Sequence, residues 1–119
     1  MSVTVFVYLA ISTDGTSHEF HHRMTPSEIT RDVLRGRLHG RLERIPIAGN
    51  SFHVWCDESG YPKGLPPNPL GSHLVSHLGG GDSTLVGTLL LTGRGPTGTI
   101  TSLSDAQIAF ALELLETLR

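Results

Sequence analysis

The first histidine cluster of the chain has the spacing of a known metal-binding motif. Residues 18–22 read His-Glu-Phe-His-His, which formally matches His-Glu-x-x-His, where two imidazoles one helical turn apart hold zinc beside a glutamate base. The segment lies between an Asp-Gly turn and a helix-capping sequence, which leaves room only for a strand. On a strand, His18 and His22 share one face and Glu19 lies on the other. We therefore interpret these residues as solvated strand histidines rather than as a protease site.

A second histidine pair has a spacing better suited to metal binding. His73 and His77 lie four residues apart in a segment predicted to be helical, and two imidazoles at that spacing can chelate a transition metal. An exposed helix face is the simpler interpretation, because the pair flanks a leucine stripe and two ligands do not make a structural zinc site. The pair is a weak candidate metal site, and the sequence predicts no cofactor.

Arginine is concentrated in one short stretch of the chain. Guanidinium groups suit phosphate or carboxylate ligands because they offer paired donors. The whole chain has a net charge of −2, which disfavours a duplex nucleic-acid binder, and aromatic residues for stacking on single strands are missing nearby. A small anionic ligand fits better, while a solvated helix face is the alternative. The stretch contains Arg23, Arg31, Arg35, Arg37, Arg41 and Arg44, opposed by Glu28, Asp32 and Glu43.

The loop from Asp57 to Asn68 is the candidate functional surface that the sequence favours most. Its three prolines fix an extended path, which lowers the entropic cost of keeping the loop ordered. Lys63 offers a cation, and Asn68 offers a donor and an acceptor where a predicted helix begins and presents its positive end. With Arg41 or Arg44 from a neighbouring strand, these groups predict a pocket for an anionic or carbonyl-rich partner. The alternative is a rigid lid with Leu65 pointing into the core.

The remaining motifs predict no catalytic residue. Arg94 lies in a glycine-rich loop and is a further candidate for contact with an anion, although that loop lacks the order of a nucleotide-binding fingerprint. Asp57 and Glu58 are adjacent, so their carboxylates point apart and do not form a catalytic pair. Cys56 follows Trp55 in an apolar strand, which favours a buried, unreactive thiol.

The composition indicates one soluble domain in a reducing compartment. The chain has 119 residues, of which 38% are hydrophobic and 17% charged; this balance excludes intrinsic disorder and suits a single domain over 1–119. The longest apolar stretch, 5–11, is far shorter than the ~20 residues that span a bilayer. No basic leader precedes it, so a signal peptide is not expected. We expect a cytoplasmic protein that does not enter membranes.

Turn and capping signals divide the chain into alternating strands and helices. A Thr25–Glu28 capping box opens one helix, Asn68 followed by Pro69 opens a second, and Ser104–Gln107 opens a third. The sequence therefore predicts an α+β fold with a mixed, mostly antiparallel sheet of five or six strands and three helices. The predicted strands are 3–11, 16–23, 41–47, 51–56 and 84–92, and the predicted helices end near 38, 79 and 118.

Hydrophobic periodicity predicts the core of this fold. The first strand is apolar and carries no charge, and sheet edges must be covered or paired, so we expect a homodimer or larger oligomer. Leu112 is predicted to pack against the sheet, where a charge would cost several kcal/mol. The full predicted core is Val5, Val7, Leu9, Ile29, Val33, Val54, Leu89, Leu91, Ile108, Leu112 and Leu115.

The middle of the chain resembles a small family of domains of unknown function. The resemblance is carried by a glycine-started strand at 40–45, an acidic-glycine turn at 57–60, a Gly-Leu-Pro-Pro-Asn loop at 64–68 and a strand at 85–93. It covers 35–103 and departs at Arg41, where an aromatic residue is expected, and at Pro69, where a basic one is common. The family is found in actinobacteria, their phages and plasmids, and other mobile elements, so the resemblance implies an accessory setting and no chemistry.

These observations favour a non-enzymatic binding or accessory protein. It would sequester an anionic small molecule or bind a host protein. Two alternatives remain open. One is a nucleic-acid-binding regulator that uses the Arg31–Arg44 cluster, although nucleic acid is the less favoured partner. The other is a small enzyme with a site around Asp57–Asn68, because sites assemble from distant segments that one sequence does not reveal.

Overall fold

A six-stranded sheet lies between one helix on one face and two helices on the other in the computed structural model of the chain. The structure describes residues 4–48 and 51–119. This architecture confirms the predicted α+β domain with three helices and a mostly antiparallel sheet. The elements are β1 (Thr4–Ile11), β2 (Ser17–Met24), α1 (Thr30–Leu38), β3 (Leu42–Ile45), β4 (Phe52–Asp57), α2 (Pro69–His77), β5 (Leu89–Arg94), β6 (Ile100–Thr101) and α3 (Asp105–Leu118).

The strand order explains why the first strand is so apolar. The sheet runs β2-β1-β5-β4-β3, with β6 paired to β5, and the five strands of the main path pair antiparallel. β1 is therefore an inner strand, with β2 along its full length and β5 on its other side. Burial on both faces requires a continuous apolar run. The apolar character of β1 is accordingly explained within one copy of the chain and no longer argues for self-association.

Alternation along the central strands builds a separate core on each face of the sheet. Leu9, Val54 and Leu91 point to the face covered by α2 and α3. Tyr8, Trp55 and Leu90 point to the opposite face, where Leu34 of α1 is fully buried. The second face also carries polar side chains, because α1 is short and covers only part of it.

Two of the three helix starts are confirmed. Asn68 caps α2 by accepting the Gly71 N–H at 2.9 Å, with Pro69 as the first helical residue. Ser104 and Gln107 form the complete capping box of α3.

The predicted start of α1 is wrong. Glu28 does bond to the Thr25 N–H, but the chain stays extended at Ile29 and the helix begins at Thr30. The capping-box sequence here closes a turn before the helix rather than its first turn.

The strand predicted over 84–92 is also corrected. β5 covers Leu89–Arg94, and the preceding residues are irregular, with Gly87 at a φ of 74°. A left-handed residue interrupts the pleat, and the Gly87 carbonyl is taken by the side chain of Asn68 instead of a neighbouring strand.

The predicted core is only partly confirmed: five of its residues are buried, three are partly buried and three are exposed. The buried ones are Leu9, Val54, Leu89, Leu91 and Leu115, and the partly buried ones are Val7, Val33 and Ile108. Ile29 is 59% exposed, Val5 40% and Leu112 39%. Ile29 precedes α1, Val5 lies near the start of β1, and α3 turns Ala111 and Leu115 toward the sheet instead of Leu112. The predicted cost of a charge at Leu112 therefore belongs to Leu115, which is fully buried. Among the described residues no helix is long and apolar enough to cross a membrane.

Candidate functional site

Three neighbouring strands bring basic and aromatic side chains together on the face that α1 partly covers. Cross-strand partners point to the same face of a sheet. Arg44 of β3 lies opposite Trp55 of β4, and His53 of β4 lies opposite Thr92 of β5. Arg94 follows Thr92 by two residues and so points to the same face. The alternation of short strands thus assembles arginines that are fifty residues apart in sequence.

Helix α1 adds a third arginine to this group. The guanidinium carbon of Arg31 lies 5.5 Å from the centre of the Trp55 ring, within the range of a cation–π contact. The indole is only 3% exposed, and its N–H donates to the Thr92 hydroxyl at 3.0 Å. Trp55 therefore serves as a fixed, covered platform beneath Arg31 and offers no free ring for stacking with a base.

His53 is buried among these positive charges. Its Nε2–H donates to the carbonyl of Gly98 at 2.9 Å, in the hairpin loop between β5 and β6. Burial lowers the pKa of His53 below its ordinary value of 6.5, and the charges of Arg44 and Arg94 lower it further, although the bond to Gly98 opposes them. Both arginines thus lie close enough to His53 for their fields to act on it.

The three arginines of this group share one more property: they are exposed and lack anionic partners. Within 4–48 and 51–119, Arg31, Arg44 and Arg94 form no ion pair and no side-chain hydrogen bond. Three guanidinium groups without anionic partners on one face, two of them near the buried His53, can bind an anion by paired hydrogen bonds. We call this group, Arg31, Arg44 and Arg94, the arginine face.

The other arginines of the sequence cluster are engaged elsewhere. Arg37 lies over the Phe20 ring at 3.8 Å and donates to the Tyr8 hydroxyl at 3.2 Å. Arg35 pairs with Asp32 at 3.5 Å. The stretch that reads as one basic cluster in the sequence is therefore divided between structural contacts and the arginine face.

The proline-rich loop, Asp57–Asn68, holds its cation in a different way. The Lys63 ammonium lies 2.5 Å from the Asp57 carboxylate, which is buried, and 3.4 Å from the His39 carbonyl. The hydrogen bond from Lys63 lowers the pKa of Asp57. A second hydrogen bond, from the Ser59 N–H, lowers it as well, while burial opposes both. Lys63 thus neutralises a buried carboxylate of the fold.

The fold makes room for this carboxylate with a glycine. A Cβ on Gly40 would lie 2.7 Å from an Asp57 oxygen, closer than packed atoms approach. The preceding residue, His39, ends α1 in the left-handed region with a φ of 56°. Both features accommodate the ion pair of Asp57 with Lys63.

Asn68 is fully buried, and its side chain forms hydrogen bonds with main-chain groups of the fold. The amide donates to the carbonyls of Ile11 and Gly87 at 2.9 and 2.8 Å, and its oxygen accepts the Gly71 N–H. No surface of Asn68 faces solvent. Leu65 is half-buried against Gly87. This geometry matches the lid interpretation of the loop, so we leave Lys63 and Asn68 out of the proposed site.

The five predicted ligand-binding residues therefore fall into two groups. Arg44 and Arg94 come together on the arginine face. Arg41 adjoins the loop instead, since its carbonyl accepts the Glu58 N–H at 2.9 Å. Sequence reasoning missed His53, which lies near both Arg44 and Arg94. Alternation along each strand indicates that His53 and Trp55 share a face. Placing Arg44 on the same face also requires the register of β3 on β4, which the sequence does not show.

The histidine and cysteine predictions lie outside the arginine face. His73 and His77 are both exposed on α2, and no group of three or more potential metal ligands occurs in the described residues. His18–His22 lies in β2, as predicted from its flanking signals. Cys56 is buried, and burial together with the charge of Glu43 raises its pKa to about 12, so the thiol stays protonated.

Comparison with known proteins now identifies the family. A domain of unknown function, DUF3846, matches residues 18–118. The chain belongs to this family. Within the DUF3846 match lie both the arginine face and the proline-rich loop, so the matched region is wider than the 35–103 segment that carries the resemblance in the sequence. Comparison with curated proteins and with solved structures finds no match.

Proposed function

We propose that this DUF3846 domain is a non-enzymatic binding protein that takes an anionic small molecule on the arginine face. The observation that carries the proposal is the set of three exposed guanidinium groups without an anionic partner in the described residues. Like charges held together are unfavourable unless an anion joins them. A phosphate or carboxylate group is the ligand class that paired N–H donors recognise.

The surroundings of the arginine face support binding rather than catalysis. His53 is buried and held by Gly98, and Asp57 is neutralised by Lys63. Neither is an exposed group that exchanges protons with a substrate. The enzyme alternative around Asp57–Asn68 is for this reason less favoured.

The nucleic-acid alternative is also less favoured. Arg35 and Arg37 are tied to neighbours in their own copy, and Trp55 is covered, so the face lacks the exposed aromatic that binds single strands. We include in the proposal a cytoplasmic location and an accessory role in actinobacteria, their phages or plasmids, which come from the composition and the sequence resemblance. A host protein would have to present a carboxylate or phosphate to the same face.

Isothermal titration of the purified chain with inorganic phosphate, pyrophosphate and a short single-stranded oligonucleotide tests the proposal. We expect pyrophosphate binding that the Arg44→Gln/Arg94→Gln variant weakens roughly tenfold or more, since each bidentate charged contact contributes about 1.5–3 kcal/mol. The matched control, Arg35→Gln/Arg41→Gln, removes the same charge outside the face and should bind as the parent does.

Two outcomes would overturn this function. Equal loss of pyrophosphate binding in both double variants would indicate a general charge effect without a site. Binding of the oligonucleotide alone, weakened most by the Arg35/Arg41 pair, would favour the nucleic-acid regulator.

A further inference from the structure

The outer edge of β2 presents unpaired main chain over a long strand. β2 has eight residues, Ser17–Met24, and among the described strands it pairs with β1 alone. An open edge of this length is a template for another strand. Which of its peptide groups point outward follows from the hydrogen-bond phase of the β1–β2 pair.

The phase is fixed at the turn of the hairpin. The Ser12 N–H donates to the Thr16 carbonyl at 2.9 Å, so this pair is a hydrogen-bonded one. Because the register continues without a break, bonded and non-bonded pairs alternate from there along the two strands. Even-numbered residues of β2 therefore bond to β1, and odd-numbered residues point away from it.

An independent contact in β1 confirms this phase. The Val7 N–H donates to the Ser102 hydroxyl at 2.8 Å, and the Val7 carbonyl accepts the Leu103 N–H at 2.9 Å. Val7 is the register partner of His21, and its peptide groups face away from β2. The peptide groups of His21 thus face the open edge, together with those of Glu19 and Arg23.

Two of these three residues, Glu19 and Arg23, carry opposite charges at symmetric positions. Glu19 and Arg23 lie two residues on either side of His21, and all three are exposed. Glu19 contacts His21 of the same strand, while Arg23 has no ion pair in the part of the chain that the structure describes.

We propose that two copies of the chain join antiparallel through β2, with His21 opposite His21 on a two-fold axis. This register makes Glu19 of each copy the cross-strand partner of Arg23 of the other. It also uses the outward N–H and carbonyl groups of Glu19, His21 and Arg23 in hydrogen-bonded pairs, as their phase requires. The two sheets would then form one continuous sheet through both copies.

Charge favours this register over those with the two-fold axis at Glu19 or at Arg23. A two-fold axis at Glu19 or at Arg23 would place like charges directly opposite each other, which destabilises a strand pair. The axis at His21 places two opposite-charge pairs across the interface. The second copy is therefore a better occupant of this edge than an uncharged strand, and the proposal concerns residues apart from the arginine face.

A charge-swap series measured by light scattering tests the interface. At micromolar concentration we expect twice the 12.8 kDa chain mass for the parent. Glu19→Arg and Arg23→Glu each create two like-charge pairs and should raise the dimer dissociation constant roughly tenfold or more. The combined Glu19→Arg/Arg23→Glu variant restores both pairs and should restore the dimer. Glu113→Arg, at an exposed position of α3, makes the same charge change as Glu19→Arg but away from β2, and it should have no effect on the dimer.

A proline pair tests the main-chain bonds themselves. His21→Pro removes a donor that faces the open edge, so the folded chain tolerates it and the dimer weakens. His22→Pro removes a donor that bonds to β1 and should lower the melting temperature instead. A parent mass of 12.8 kDa throughout the micromolar range, dimers unaffected by either single charge reversal, or a His21→Pro chain that stays dimeric would each overturn the proposal.

Discussion

Lys63 in the proline-rich loop and Arg44 on the arginine face are both cations next to β4, but only Lys63 has an anionic partner in the described structure. The Lys63 ammonium is within 2.5 Å of the Asp57 carboxylate, which its charge neutralises. Arg44 lies opposite an indole and near a buried histidine. The two regions therefore use positive charge for different ends.

The difference suggests that the loop contributes to stability and that the arginine face contributes to ligand binding. In the loop, the side chains of Lys63 and Asn68 bond to groups of the chain itself, so their removal should leave buried groups unpaired. On the arginine face the guanidinium groups have no anionic partner among the described residues, so their removal should cost the fold little. Variants of the two regions should therefore separate loss of stability from loss of ligand binding.

Asn68→Ala should have the largest effect on stability. It leaves the carbonyls of Ile11 and Gly87 and the Gly71 N–H without their partner in a buried place. Each unsatisfied buried group costs about 1–3 kcal/mol, so we expect a loss of about 3 kcal/mol or more in the free energy of unfolding. Chemical denaturation measures this loss, and the residual folded protein should bind pyrophosphate as the parent does.

Two control variants locate the origin of that loss. Asn68→Asp keeps the acceptor for Gly71 but loses both donors, and should be nearly as unstable as Asn68→Ala. His73→Ala, on the exposed side of the same helix, should change stability by less than about 0.5 kcal/mol. A loss below about 1 kcal/mol for Asn68→Ala would contradict the structural role of this residue.

Lys63→Ala should have an intermediate effect, because it leaves the Asp57 carboxylate buried without its counter-ion. We expect a loss of about 1–3 kcal/mol at neutral pH. The pKa of Asp57 is lowered in the folded chain, so its contribution is present above the ordinary value of 3.8 and disappears as the pH falls through the folded value. Stability measured by urea denaturation should therefore fall less steeply in acid for Lys63→Ala than for the parent.

The same variant decides between the two regions as binding sites. If Lys63→Ala abolished pyrophosphate binding while Arg44→Gln/Arg94→Gln retained it, the ligand site would lie in the loop and the arginine face would be a solvated surface. Lys63→Met, which keeps most of the aliphatic stem, separates the loss of charge from the loss of packing.

The sequence predicts those features of the fold and site that depend on residues close together in the chain. The cap at Asn68, the Ser104 capping box and the Asp-Gly turn depend on residues within a few positions of one another, and all three were predicted. The role of Asn68 as a donor to Ile11 and Gly87 depends on contacts 57 and 19 residues away. Nothing in the loop sequence distinguishes such a donor from one that faces a ligand.

The arginine face also depends on contacts between residues that are distant in the sequence. Side-chain chemistry predicts Arg44 and Arg94 as ligand-binding residues, and the strand register brings them together near His53. The apolar character of β1 predicted self-association because the sequence does not show which strands lie beside it. Sequence periodicity predicts which face a residue takes, while strand order decides what lies beside it.

His53 should give the stability of the arginine face a pH dependence. The pKa of His53 is lowered in the folded chain, first by burial and then by the charges of Arg44 and Arg94. The unfolded chain therefore binds a proton more readily, and stability decreases as the pH falls below about 6.5. Urea denaturation between about pH 7.5 and about pH 5.5 should show this decrease in the parent and a smaller one in His53→Gln. Identical slopes would mean that His53 titrates alike in both states.

Arg44→Gln/Arg94→Gln should have the smallest effect on stability, within about 0.5 kcal/mol of the parent, because neither arginine has an ion pair to lose. Removing both charges takes away two of the influences that lower the pKa of His53, so that pKa should rise toward its ordinary value while burial still opposes it. Titration of the His53 ring signals by NMR measures the rise, and Arg35→Gln/Arg41→Gln provides the matched control, in which no change is expected.

A pKa of His53 that stays the same in both double variants would place Arg44 and Arg94 too far from the histidine to form one site with it. A rise confined to the Arg44/Arg94 variant, with stability unchanged, would show that these charges act on a common point and that the fold does not need them there, which is the property expected of a surface kept for a ligand.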